Sequence, residues 1–244
     1  MASKTSVDQE ELNKFNKTAQ QWWDENGEFK TLHQINPVRV SYITEQMKNH
    51  FTIGGTKGTA FSDLTLLDVG SGGGLISVPM HMLGLKVTGL DANEHNFRAA
   101  TSHARTNKLP INFINQTVEQ HSESQQKYDV ILCLEVIEHV ANPDEFLLSL
   151  NKMLAPGGLL IVSTINRTPK SYLLAIVMAE YVLGMVPKKT HNYLKFIRPS
   201  ELVFMLKNTE LSLKALKGLT LSVINNKWQL SDDIAVNYFA TFVK

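Results

Sequence analysis

An apolar run, Leu66-Leu67-Asp68-Val69, breaks into Gly70-Ser71-Gly72-Gly73-Gly74, and a second apolar run from Leu85 to Leu90 ends at Asp91. No other stretch limits the fold so sharply. Glycines let the backbone turn tightly and approach a ligand where a Cβ would collide, and an acid closing the next strand can hydrogen-bond ribose hydroxyls. The spacing is G-x-G-x-G at Gly70, Gly72 and Gly74, not the G-x-G-x-x-G that seats a pyrophosphate on a helix N-terminus. A ligand with a ribose and no diphosphate, such as S-adenosylmethionine, is therefore preferred over a dinucleotide.

A glycine loop alone is also compatible with an ordinary strand-to-helix turn. Further features point beyond that: the strand-loop-helix order, the acid Asp91, and Leu154-Ala155-Pro156-Gly157-Gly158 ahead of the apolar strand Leu159 to Ser163. Together they match the class I methyltransferase layout.

The chain has 244 residues, 43% of them hydrophobic, enough to bury one substantial core in a single domain spanning 1–244. A net charge of +1 and the lack of a basic repeat argue against nucleic acid as a partner. The single cysteine, Cys133, lies in the apolar run Val130 to Leu134, which reads as a packing role in a reducing compartment. Met1 to Glu11 carry neither a signal-peptide core nor an arginine-rich presequence, so the expectation is a cytoplasmic protein.

Leu12, Phe15, Ala19 and Trp22 or Trp23 recur at near-helical spacing, which predicts an amphipathic helix over Glu11 to Trp23. Asn36-Pro37 reads as a cap and first-turn proline opening a helix to about His50. The region 8–50 is thus expected to form a helical lid. From Leu64 strands alternate with helices: Leu64 to Val69, Ile76 to Leu83, Lys86 to Leu90, Glu94 to Asn107, Ile111 to Gln116, Tyr128 to Leu134, a helix from Asn142-Pro143 to Leu154, and Leu159 to Ser163. With a helix at Ser200 to Asn208 and strands near Leu211 to Leu216 and Asn237 to Val243, this predicts a Rossmann-like α/β fold. Its sheet would be doubly wound, mostly parallel and seven-stranded, with helices on both faces. Ligands bind beyond the carboxyl ends of such strands. An insertion at about 165–198 interrupts the alternation.

Trp22-Trp23-Asp24-Glu25-Asn26-Gly27-Glu28-Phe29-Lys30 and Ile35-Asn36-Pro37-Val38-Arg39 form an unusual string. It closely resembles the amino-terminal signature of the ubiquinone biosynthesis O-methyltransferases. The resemblance continues through Leu67 to Gly74, Val87 to Asp91, Glu135 to Val140, Ser163 to Arg167, Met185 to His191, Lys195 to Leu202 and Val236 to Tyr238, so it covers the chain from about Glu11. Ser71 stands where the family commonly has cysteine. The resemblance implies S-adenosylmethionine as cofactor and methylation of catechol hydroxyls on polyprenylated ubiquinone precursors. It also implies a possible complex with other ubiquinone-biosynthesis proteins and cofactor contacts at Arg39, Gly70, Asp91 and Leu134.

A catechol hydroxyl with a pKa of about 10 is mostly protonated at neutral pH and needs a base or a metal to attack a methyl group. Glu135, Glu138 and His139 lie at i, i+3 and i+4, so on a helix all three face one side. Two carboxylates suit Mg²⁺, which would hold both catechol oxygens. His139 is open between metal ligand and catalytic base, and a solvated helix start is the plain structural alternative. His33 and His191 have little claim to a catalytic role. Ser171 to Val186 carries one charge, Glu180, and as a helix would be about 24 Å long, short of a hydrocarbon core of ~30 Å. With Lys170, Lys188 and Lys189 beside it, the segment 171–189 is expected to lie on a membrane surface, placing the enzyme peripherally at the inner membrane of a bacterium or, for a processed organellar form, on the matrix side of a mitochondrion. Two rivals remain: a nicotinamide-dependent oxidoreductase on the same loop, and a noncatalytic module that only binds the cofactor.

Overall fold

The apolar segments Thr65–Val69 (β1), Lys86–Asp91 (β2), Asn112–Asn115 (β3), Tyr128–Leu134 (β4) and Leu154–Ile165 (β5) lie side by side and parallel. In this computed structural model, which describes residues 6–8, 21–51, 61–174, 192–222 and 227–244, the sheet has the order β3-β2-β1-β4-β5-β8-β6-β7. Ser212–Ser222 (β6), Lys227–Ser231 (β7) and Asn237–Val243 (β8) complete it in antiparallel pairings. The order reverses beside β1: β2 and β3 lead one way, β4 and β5 the other. That switch opens a crevice at the carboxyl ends of β1, β2 and β4.

Alternation along the central strands divides the core between two faces. Leu66, Val130, Leu132, Leu159 and Ile161 pack with Ile35, Tyr42, Ile43 and Met47 of Lys30–His50 (α1). Leu67, Ile131, Cys133, Leu160 and Val162 pack on the other face with Phe146, Leu147 and Leu150 of Pro143–Met153 (α5) and Leu202 of Pro199–Met205 (α6). Ser77–Met82 (α2), Glu94–Thr106 (α3) and Val118–Ser122 (α4) complete the helices used below. Local chemistry sets the clearest boundaries. Asn93 accepts from the His95 and Asn96 amides to cap α3, and Asn142 accepts from the Glu145 amide ahead of Pro143 in α5.

The expectations hold for most parallel units and need correction in places. Among the described residues the sheet has eight strands, the extra one being β7 at the edge. Helix α1 starts at Lys30, and Asn36-Pro37 does not open it: Asn36 Nδ2 donates to the Leu75 carbonyl at 2.7 Å. Pro37 therefore sits inside a helix, where a missing N–H and a ring clash cost about 3 kcal/mol; burial of Ile35, Tyr42, Ile43 and Met47 offsets that. Strand β5 begins at Leu154, because Leu154 pairs with Tyr128 before the register shifts. The short α4, held by a capping box between Thr117 and Gln120, was not foreseen. The helix expected over Glu11 to Trp23 lies outside the described residues except for its last three, which form a turn. Cys133 is fully buried in β4, and burial pushes its thiol well up, as a packing residue requires.

Candidate active site

Strand β1 ends in a loop whose conformation demands glycine. Gly70, Gly72 and Gly74 have φ of 66°, 55° and 89°, a region open to glycine and costly for other residues. The Gly70 and Ser71 amides both donate to the Leu90 carbonyl, tying the loop to β2. A Cβ on Gly70 would stand 2.4 Å from Val136 Cγ2, and one on Gly73 would stand 2.4 Å from Trp22. The loop thus leaves room for the side chains of Val136 and Trp22.

Trp22 and Trp23 hold that loop from above. The Trp22 ring stacks on Phe29 at 3.8 Å, and its Nε1 donates to Asn96 Oδ1 at 2.9 Å. Trp23 stacks on His103 and donates to the Gly73 carbonyl at 3.0 Å. The ring Nε2 of His33 lies 2.9 Å from the Trp22 carbonyl, a bond that anchors the turn. His191 lies outside the described residues.

Asp91, at the end of β2, accepts from the Gly72 amide at 2.8 Å, the Asn93 amide at 2.8 Å and the Asn96 side chain at 3.4 Å. Burial raises its pKa against those bonds. The carboxylate thus joins the glycine loop to the start of α3. Leu134 closes β4, buried at the same edge.

Arg39 reaches this edge from α1. Its side chain is buried, and Nε and Nη2 have no hydrogen-bond partner. Burial lowers its pKa, while Glu135, Asp68 and Glu138 counter that as negative neighbours. Asp68 was not among the expected site residues. It is buried, accepts from Ser77 Oγ at 2.6 Å, and is pushed up to about 6 by burial. Its one sequence signal is an acid inside the apolar run of β1.

The acids after β4 do not sit on one helix face. Glu135 adopts φ of 55°, strained for a non-glycine residue, and only Ile137–His139 form a single 3₁₀ turn. Glu135 accepts from Ser163 Oγ at 2.7 Å and from Asn237 Nδ2 at 3.4 Å. Glu138 accepts from Thr164 Oγ1 at 2.8 Å, while its buried Oε1 has no hydrogen-bond partner. Burial, then the charge of Glu135, push Glu138 up to about 7, against the pull of His139. Among the described residues no group of three or more His, Cys, Asp or Glu side chains is arranged to hold a metal ion.

Of the apolar segment 171–189 only 171–174 belong to the described residues, and the membrane expectation otherwise lies outside them. Tyr172, Leu173 and Leu174 are exposed, as is Leu194 at 77%, and the Tyr172 and Tyr193 rings meet at 5.4 Å. No helix among the described residues is long and apolar enough to cross a membrane.

A methyltransferase-domain family model matches residues 42–216. A protein named ubiquinone biosynthesis O-methyltransferase from Rickettsia akari is 48% identical over 96% of this chain and 91% of its own length. One of the same name from Rickettsia bellii is 48% identical over 98% of this chain and 97% of its own. Among solved structures, magnesium protoporphyrin IX methyltransferase from Synechocystis with bound SAH superposes with a TM-score of 0.62 at 19% identity, covering 96% of this chain and 97% of that one. A possible histamine N-methyltransferase from Thermotoga maritima gives a TM-score of 0.65 at 14% identity, covering 96% and 99%. At those identities the solved structures establish the class I methyltransferase fold.

Proposed function

The chain belongs to the ubiquinone biosynthesis O-methyltransferases, and on that premise we propose that it methylates catechol hydroxyls of polyprenylated ubiquinone precursors with S-adenosylmethionine as donor. The observation that carries this reading is Arg39, whose buried Nε and Nη2 make no hydrogen bond at the carboxyl edge of the sheet, the nearest carboxylate oxygen being Glu135 Oε1 at 3.9 Å from Nη2. A buried cation with unused donors is costly unless a ligand answers it, and the carboxylate of a methionine moiety is the matching partner.

The residues fit the cofactor. In this reading Asp91 would take the ribose hydroxyls and Leu134 would border the adenine, while Gly70 would let the backbone come close to the cofactor. S-adenosylmethionine supplies an electrophilic methyl group; alignment of the acceptor oxygen with it is the protein's part, and orientation of this kind can contribute several kcal/mol. Trp22, Trp23, Phe29 and α1 cover the glycine loop and serve as the lid that excludes water.

The resemblance also implies a divalent cation, with Glu135, Glu138 and His139 as its proposed ligands, while among the described residues no group of three or more such side chains is arranged to hold one. Glu135 and Glu138 repel each other, and Glu138 keeps an unpartnered oxygen. Mg²⁺ is commonly held by one or two carboxylates, with waters and substrate oxygens completing its shell. Glu135, Glu138 and His139 would hold it, and it would lower the pKa of the attacking hydroxyl. The alternative role proposed for His139 is that of the base that takes the catechol proton. The exposed apolar residues 172–174 and Leu194, with Lys170 beside them, support a peripheral seat on a bacterial inner membrane through about 171–189, where a polyprenyl tail partitions. Cytoplasmic placement and assembly with other enzymes of the same pathway accord with that seat.

The test is mass spectrometry of a short-chain polyprenyl catechol incubated with the protein and S-adenosylmethionine. One added O-methyl group supports the reading. Unmodified catechol, with cofactor binding confirmed by titration, overturns it, and binding of NAD in place of S-adenosylmethionine would move the chain to the oxidoreductase reading.

A further inference from the structure

Asn96 lies in the first turn of α3, buried between the tryptophan lid and the acid that ends β2. Its Oδ1 accepts from Trp22 Nε1 at 2.9 Å, and its Nδ2 donates to Asp91 Oδ2 at 3.4 Å. An indole N–H can only donate and a carboxylate can only accept, so the amide has one satisfied orientation between them. Asp91 in turn takes the Gly72 amide on Oδ2 and the Asn93 amide on Oδ1, each at 2.8 Å. Oδ2 thus has two donors and Oδ1 one, which leaves an acceptor direction on Oδ1 for a ligand hydroxyl.

The contacts close on themselves. The Trp22 ring lies over the glycine loop, where a Cβ on Gly72 or Gly73 would stand 2.5 Å or 2.4 Å from it. Trp22, Asn96, Asp91 and Gly72 therefore form a circuit in which the lid meets the loop directly and again through the Asn96 amide. All three side chains of that circuit are buried, so a hydrogen bond lost there is not made good by bulk water. The helix itself does not require asparagine at this place: Asn93 caps α3, its side chain accepting from the His95 and Asn96 amides.

We propose that Asn96 is a positioning residue for the cofactor: its side-chain amide couples the Trp22 indole to the Asp91 carboxylate, so that the seating of the lid and the presentation of Asp91 Oδ1 to the ribose are set together. This inference rests on the proposed placing of the ribose at Asp91. Removing one partner from a buried hydrogen-bonded group typically corresponds to a change of about 5- to 150-fold in an equilibrium constant.

The experiment is calorimetric titration of S-adenosylhomocysteine into the full chain, for the native protein, Asn96→Leu, Trp22→Phe and the two combined, with KM for S-adenosylmethionine and for a short-chain catechol alongside. Asn96→Leu keeps the volume and loses both polar ends; Trp22→Phe keeps a ring against Phe29 and loses the N–H. Asn96→Leu is expected to weaken S-adenosylhomocysteine binding by at least about 10-fold and to raise the KM for S-adenosylmethionine to match, with the catechol KM within about twofold. Trp22→Phe is expected to weaken binding by about 3-fold or more, and the double variant to bind within about twofold of Asn96→Leu, because the indole acts through the amide. Native affinity in Asn96→Leu, or two factors that multiply in the double variant, overturn the proposal. Should Asn96→Leu fail to fold, Asn96→Asp, alone and with Trp22→Phe, gives the second reading: it keeps an oxygen toward Trp22, sets a like charge beside Asp91, and is expected to bind at least about 10-fold more weakly, native affinity again overturning the proposal. Asp91→Asn separates the two claims: native affinity in that variant removes the ribose from Asp91, and the coupling of Trp22 through Asn96 is then decided by the double variant alone.

Discussion

Arg39 Nη2 stands 3.9 Å from Glu135 Oε1, so a buried guanidinium from α1 faces a half-buried carboxylate in the turn after β4. Removing either charge leaves the other without its counterion in a low-dielectric site. Arg39→Lys keeps the charge and loses the planar fork. The expected outcome is a KM for S-adenosylmethionine raised about 10-fold or more, with the catechol KM little changed. An equal rise in both would place Arg39 elsewhere in the mechanism.

Gly70 is required twice over, by its φ of 66° and by Val136 standing 2.4 Å from a would-be Cβ. Left-handed backbone alone costs about 1–2 kcal/mol in a non-glycine residue, and the clash adds to that. Gly70→Ala is expected to lower Tm by several degrees, and adding Val136→Ala should recover part of the loss. A Gly70→Ala protein with native Tm would contradict a left-handed turn packed against Val136.

Most of the parallel half of the fold was legible because its signals are local. Tyr128 to Leu134 is apolar throughout except for Asp129, as a strand buried on both faces must largely be, and Asn142-Pro143 caps and opens α5 within a few residues. Strand β7, Lys-Trp-Gln-Leu-Ser, is half-exposed at an edge and depends on β6 for its pairing, so its pattern is weak. Asn36 resembles a cap in sequence, yet its side chain is committed to Leu75, a contact set by tertiary packing. The candidate site divides in the same way. Gly70 and Asp91 follow from strand endings, whereas the left-handed Glu135, the buried Asp68 and the hydroxyls of Ser163 and Thr164 become visible only when β1, β4 and β5 are side by side.

Glu138, held at about 7 by burial and by Glu135, gives a pH dependence whose sign is determined. The folded state binds the proton more tightly than the unfolded chain, so stability falls as pH rises from the usual carboxylate range through about 7. Asp68, raised to about 6, acts in the same direction over the lower part of that window. If Glu138 serves the proposed site as a carboxylate, activity runs the opposite way: kcat/KM is expected to rise through about pH 7. Glu138→Gln should therefore raise Tm at pH 8 and abolish most activity. A variant less stable than the native protein at pH 8 would contradict the buried-charge account.

Trp22 fills the space above Gly72 and Gly73 and stacks on Phe29. Trp22→Ala removes a buried indole, a change that typically costs about 3–5 kcal/mol. Lower Tm and weaker S-adenosylhomocysteine binding are both expected, by thermal denaturation and titration. Full cofactor affinity in a folded Trp22→Ala protein would limit the tryptophan to a packing role.

A membrane seat through residues 171–189 predicts cosedimentation with liposomes containing anionic lipid, and release at high salt as the lysine contribution is screened. Deleting the segment should abolish it. Unchanged cosedimentation after deletion would exclude this seat.

The central claim is tested most directly by following labelled methyl from S-adenosylmethionine to a short-chain polyprenyl catechol, with Mg²⁺ and with a chelator. Labelled O-methyl product that forms with Mg²⁺ and disappears with chelator is the predicted result. Product insensitive to chelator would keep the methyl transfer and shift the chemistry to His139 as base; no labelled product from a cofactor-binding protein would contradict the account.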